Sequence, residues 1–153
     1  MDKYNKKNFK KIKNKINSQY KNIGRVYNPA LRSNVSFNSN GWHHLCYDNN
    51  RSERSKAVQI NKLRFFSNAV NIIKKSTTIQ EYRRGKLSID GKESVVEWFA
   101  FWSIISFIKL IRIKVIVRRI GGLNGQYHFW SVMPFWSLRQ GERFIGSAGL
   151  EYE

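Results

Sequence analysis

The chain has 153 residues, 41% of them hydrophobic and 14% aromatic, with five Trp and ten Phe, which supplies one domain core and excludes a wholly disordered chain. Against 28 Lys+Arg stand 10 Asp+Glu, a net charge of +18; such self-repulsion makes physical sense beside a polyanion, nucleic acid before an acidic membrane surface or an acidic protein. The single cysteine, Cys46, excludes an internal disulfide and a cysteine-built zinc site.

The basic N-terminus is not followed by an apolar signal region, and the longest uncharged apolar run, Trp98 to Ile108, is too short to span a bilayer. The expected setting is therefore cytoplasmic and reducing. Residues 1–25 carry Phe9, Ile12, Ile16, Tyr20 and Ile23 at spacings of three and four, which predicts a basic amphipathic helix or a flexible arm. A single α+β domain is expected over 26–137, and a polar tail over 138–153. Val35 and Phe37 alternate with polar residues as in a short strand. Asn38-Ser39-Asn40-Gly41 reads as a turn, with Trp42 to Tyr47 as its return strand and His43 and His44 on opposite faces.

After a polar basic connection, Ile60, Leu63, Phe66, Val70 and Ile73 predict a helix capped by Ser52 or Ser55, ending near Lys74-Lys75 and open to a break near Ser67-Asn68. From Thr78 the texture turns to β. A strand is expected over 78–83, a loop over 85–93, and a strand buried on both faces over 95–107. Lys109 to Ile120 alternates strictly, with Ile111, Ile113, Val115 and Val117 apolar and Arg112, Lys114 and Arg118 between them. Gly121 to Gly125 turns the chain into a second alternating strand, Gln126 to Pro134. Closing Ile120 onto Gln126 pairs Val117 with Phe129 and Ile113 with Met133 on the core side, because a one-residue slip sets charges against apolar groups. The same register puts Arg118 opposite His128, near Trp130 and Lys114, on the other face.

Chemistry can be narrowed from these residues. No acidic residue lies between Glu97 and Glu142, where the best strands are, and no paired-carboxylate or HExxH pattern is present, so no metal or other cofactor is expected. The glycine-rich segment joins two strands, unlike a phosphate-cradling loop before a helix. Metal-free RNA cleavage needs a base for the 2′-OH, an acid for the leaving 5′-oxygen and fixed cations for the phosphorane. Histidine suits the first two roles at neutral pH, and the chain has only His43, His44 and His128. Arg51, Arg54, Arg83, Arg112 and Arg118 are candidate phosphate clamps, and Trp130 a base-stacking platform. The same face also suits a protein that binds RNA or DNA without cleaving it.

The order of motifs adds a resemblance. Gly41-Trp42-His43-His44-Leu45 precedes a basic segment, a helix and Thr77-Thr78-Ile79-Gln80-Glu81-Tyr82-Arg83. Then come Ile111-Arg112-Ile113-Lys114-Val115-Ile116-Val117-Arg118 and Gln126-Tyr127-His128-Phe129-Trp130-Ser131-Val132-Met133-Pro134. Over residues 24–136 this resembles the barnase–EndoU–colicin–RelE group of metal-independent RNases, in its phage- and toxin-like branch. The resemblance implies an α+β fold with N-terminal helices packed on a roughly four-stranded antiparallel sheet whose open face is the active site. It implies cleavage by transesterification to a 2′,3′-cyclic phosphate and a 5′-OH, with an acidic antitoxin or immunity protein as a further partner. His44 and His128 would share acid–base work, with Arg118, Arg54 and Gln80 in the catalytic set. Thr78, Arg83, Arg112, Lys114 and Trp130 would bind substrate. One departure is the apolar stretch Ile104 to Leu110, where a polar turn between strands is expected.

Overall fold

The computed structural model describes residues 3–107 and 109–135, leaving aside the side chains of 3–5, 107 and 109. In chain order the elements are α1 (Lys3–Ile23), β1 (Arg25–Asn28), β2 (Ser33–Ser36), α2 (Ser39–Cys46), α3 (Lys56–Arg64) and α4 (Phe66–Lys75). They are followed by β3 (Glu81–Ile89), β4 (Lys92–Phe107), β5 (Lys109–Ile120), a 3-10 turn at Gly122–Asn124 and β6 (Tyr127–Phe135). Among the described residues the strands form one six-stranded sheet of order β1-β2-β6-β5-β4-β3. Every pairing is antiparallel except β2 with β6, which is parallel.

The α+β class with helices on a sheet is as expected, but the sheet is wider than four strands and mixed. The short strand expected from the alternation at Val35 and Phe37 is β2, which ends at Ser36; β1 has four residues, too few to show a period in the Asn- and Ser-rich text. The expected loop over 85–93 is also mostly strand: Ile89 pairs with Lys92 across Asp90-Gly91, both at positive φ (51° and 76°), the backbone a two-residue hairpin needs. Thr78 and Gln80 fall just before β3 rather than within it. β4 and β5 pair as far as Phe107 with Lys109, so the apolar stretch becomes the far end of a long hairpin. The tail expected over 138–153 lies outside the described residues.

Apolar alternation sets the two faces. Ile111, Ile113, Val115 and Val117 of β5 pack with Phe129 and Val132 of β6 and with Leu63, Phe65, Phe66, Ala69 and Ile73 of the α3–α4 region. Phe65, rather than Ser67-Asn68, separates the two helices. α1 docks on the same core through buried Tyr20, whose ring lies against Phe37, Trp42, Phe66 and Phe129 at 5.4–6.2 Å. The other face carries a small cluster of strand residues, Val96, Trp98, Ala100 and Ile116, with Trp130 and Met133 against it. Among the described residues no helix is long and apolar enough to cross a membrane.

The β5–β6 register holds as expected at the loop end, where Val117 faces Phe129 and Arg118 faces His128. It then shifts by one, so that Ile116 faces Ser131, Lys114 faces Met133 and Ile113 faces Pro134. The expected Ile113–Met133 pair is thereby replaced. Trp130 is the extra residue of a β-bulge, and the bulge reverses parity: Val132 joins Phe129 in the helix-side core, while Met133 joins Trp130 on the other face. Lys62 of α3, 6% exposed, is fixed at this place. Its Nζ donates to Ser131 Oγ at 3.0 Å and to the Val132 carbonyl at 3.1 Å, an arrangement that gives a buried ammonium the acceptors it needs.

Candidate functional site

The segment expected to be a turn and return strand is instead the helix α2. Asn38 is its N-cap, accepting a hydrogen bond from the Gly41 amide at 3.2 Å, and Gly41, His44 and Leu45 are buried at helical spacing. The cluster taken for a turn is therefore a cap and a first helical turn. Gly41 allows close approach to β6: a Cβ there would run into the Phe129 carbonyl oxygen and the Tyr20 hydroxyl. α2 thus lies along the part of β6 beyond its short pairing with β2, and brings His44 onto Trp130.

The two rings stack with centroids 4.0 Å apart and planes at 15°. His44 is 3% exposed and is held from behind by Arg54, whose Nε donates to the His44 carbonyl at 3.0 Å and whose Nη2 lies 3.3 Å from His44 Nε2. An arginine at this end of α2 also meets the negative end of the helix dipole. On β5 and β6, Arg118 Nε donates to His128 Nε2 at 3.1 Å. Because the guanidinium only donates, His128 Nε2 must be the unprotonated ring nitrogen. The Arg118 guanidinium also lies over the Trp130 ring, 3.4 Å from its centroid. Trp130 therefore contacts both His44 and Arg118, with His128 edge-on at 6.0 Å.

Burial shapes the charges. His128 is 5% exposed, and desolvation, then the neighbouring Arg118 cation, pushes its pKa down to about 4 against a partial opposing effect of a hydrogen bond to the Gln126 backbone. It is neutral at pH 7. Arg118 is lowered to about 10 by desolvation and remains a cation there.

In front of these groups is a cavity of about 540 Å³, lined by His43, His44, Arg51, Trp98, Arg118 and Trp130 with the β3–β4 hairpin tip at Leu87–Asp90. Arg51, at φ 61°, is carried on a tight loop in which Asp48 Oδ1 accepts from the Asn50 and Ser52 amides, both at 2.9 Å. His43 is exposed and stacks on Tyr47 at 4.4 Å. Among the described residues no group of three or more His, Cys, Asp or Glu side chains is placed to hold a metal ion.

The structure thus brings together His44, Arg54, Arg118, His128 and Trp130. Arg83 belongs to the same cross-sheet row, since it pairs with Trp98 and Trp98 with Arg118, but it sits two strands away. The remaining expected residues lie toward the opposite end of that face. Arg112 and Lys114 approach the Trp102 ring at 4.6 and 5.2 Å, and Lys114 is buried in an ion pair with Glu81 at 2.8 Å. Gln80 accepts from the Trp102 amide at 3.2 Å and donates to Thr78 Oγ1 at 3.4 Å. Two residues escaped sequence reasoning. Trp98 looked like core within an apolar run, and Lys62 sat among helix residues with nothing to distinguish it.

Compared with known proteins, the chain matches no family model, no curated protein and no solved structure.

Proposed function

We propose that the protein is a metal-independent endoribonuclease of the barnase–EndoU–colicin–RelE kind, acting in a reducing cytoplasm, with its scissile phosphate in the cavity between α2, the β3–β4 tip and the β5–β6 face. The observation that carries this reading is the meeting of two histidines and two arginines, His43, His44, Arg51 and Arg118, in one cavity of a chain with net charge +18. Arg118 and Arg51 bind the non-bridging oxygens. His43, exposed at the cavity, removes the 2′-OH proton as that oxygen attacks phosphorus, while His44, its Nε2 turned to Arg54 and its ring stacked on Trp130, offers its other ring nitrogen as a donor to the phosphate. The P–O5′ bond then breaks, and His43 delivers that proton to the leaving 5′-oxygen, giving a 2′,3′-cyclic phosphate and a 5′-OH.

His128 takes a different part from the acid–base role its sequence position suggested. Neutral at pH 7 and with Nε2 occupied by Arg118, it orients the guanidinium. Arg83 and Arg112, with Thr78 and Gln80, fall along the same sheet face for flanking nucleotides, whereas Lys114 is buried against Glu81 and does not reach them. A toxin-like role, with an acidic antitoxin or immunity protein as partner, belongs to the same proposal through the family resemblance.

A second reading, RNA or DNA binding without cleavage, is favoured by one feature: His44 Nε2 and His128 Nε2 each already face an arginine. Incubation of total RNA with the protein in excess EDTA, followed by end-group analysis, separates the two. Fragments with cyclic-phosphate ends, lost in His43→Ala, support the nuclease. Intact RNA that stays bound supports the binding protein, and fragments that appear only with a divalent ion overturn the chemistry proposed.

A further inference from the structure

We propose that the solvent face of α1 is a second nucleic-acid contact, a row of lysines that holds RNA phosphates flanking the cavity; this rests on the reading of the cavity as an RNA site. Lys6, Lys7, Lys10, Lys11, Lys15 and Lys21 are all exposed, and no acidic residue occurs anywhere in Lys3–Ile23. As an isolated helix this is poorly composed. Lys6 and Lys10, Lys7 and Lys11, and Lys11 and Lys15 stand four apart, where like charges repel, and the lysines nearest the N-terminus oppose the helix dipole. A local conflict of this kind points to a compensating partner, and a polyanion removes both faults at once.

Where the apolar side chains go decides which polyanion. Phe9 and Tyr20 are buried, and Ile16 and Ile23 pack against the core. The stripe that a membrane-surface helix would insert among lipids is therefore already used against the domain. On the outside, Ile12 at 39% exposure is the single large apolar side chain of α1 among the described residues. Such a surface lacks the apolar and aromatic centre of a protein–protein interface. A phosphate backbone needs none, since it is held by cations alone.

Position favours the same assignment. The Tyr20 hydroxyl donates to the carbonyl of Asn38, the N-cap of α2, at 2.6 Å, and its ring lies 5.5 Å from Trp42, next to His43. The C-terminal half of α1 thus adjoins the helix that carries His43 and His44. From Lys6 to Lys21 the row runs about 22 Å at 1.5 Å per residue, enough to follow several nucleotides leaving the cavity.

The test replaces Lys6, Lys7, Lys10, Lys11 and Lys15 together by Gln, a residue of similar helix propensity, with Arg at the same positions as the conservative control. Affinity for a single-stranded RNA of about twenty nucleotides is measured between about 50 and 200 mM salt, together with cleavage of that RNA and of a trinucleotide. With three to four phosphates released, the Gln variant's salt slope falls in magnitude by about 2 to 3, at roughly 0.7 per phosphate. Its KM for the long RNA rises about tenfold or more, and trinucleotide cleavage stays within about twofold. The Arg variant keeps the wild-type slope. An unchanged slope and KM in the Gln variant overturn the proposal, as does an unchanged slope with lost binding to anionic lipid vesicles or to poly-glutamate. Wild-type protein that binds RNA but cleaves neither substrate sinks the nuclease reading alone, and the slope still decides the lysine row.

Discussion

The two ends of the open sheet face are built from the same materials and reach opposite states. At one end Arg118 lies over Trp130, and at the other Arg112 and Lys114 lie beside Trp102. Lys114, 1% exposed, is met by the Glu81 carboxylate at 2.8 Å, whereas Arg118 is met by a neutral imidazole. A carboxylate partner consumes the field of a cation, while an imidazole only orients it. Abundant positive charge on a face therefore does not make the whole face receptive to an anion. The receptive end is the one whose cation has a neutral partner and an open cavity in front of it.

The sharpest way to break this contrast is a pair of truncations. Arg118→Ala is expected to lower RNA cleavage by about 10²–10³-fold, the usual loss of a preorganised charge at the reacting centre. Arg112→Ala is expected to stay within about threefold. Equal losses in the two rate measurements would erase the distinction.

The Trp102 end should instead answer in stability. Glu81→Gln leaves the Lys114 ammonium buried beside a neutral amide. It should cost about 2–3 kcal/mol in urea denaturation, below the range for a fully buried pair because Glu81 is about one-third exposed. Trinucleotide cleavage should be unaffected. Full stability in that variant would mean that Lys114 finds its charge balance elsewhere.

Acid separates the ends more gently. The His128 pKa falls from 6.5 to about 4 on folding, so between those values the unfolded chain holds more protons than the native one, and native stability rises with pH. Its contribution is complete above about pH 6.5 and is lost on acidification toward pH 4, up to about 3 kcal/mol. Denaturation midpoints of wild type and His128→Gln should converge over that window as pH falls. Parallel curves would remove the buried imidazole as the partner that distinguishes the Arg118 end.

Much of this was legible in the sequence where a period was long. The β5 alternation, the turn at Gly121 to Gly125 and the pairing of Arg118 with His128 followed from side-chain parity alone, and so did the gathering of Trp130 on their face. Three features were not legible, each for a local reason. The sequence of α2 suits a hairpin as well as a helix because Asn38 to Gly41 fits a turn and a helix cap equally, and the cue that decides it, burial of Gly41, His44 and Leu45, depends on β6 lying alongside. Strand β1 is too short to show a pattern, whereas β2 shows in the alternation at Val35. The bulge was hidden because Gln126 to Pro134 alternates plausibly in the unshifted register, and only the shape of the packed sheet makes Trp130 supernumerary.

Lys62 gives that bulge a wider meaning. An extra residue in a strand acts like an inserted letter, after which everything is read in the other frame: before it Phe129 faces inward, and after it Val132 does so one letter late. The ammonium on Ser131 and Val132 is a punctuation mark set where the frame changes. The spelling of β6 is thus read together with that mark in α3, about seventy residues upstream. Any lineage that changes Lys62 should be found rewriting β6 as well, so the two places are expected to drift as a pair.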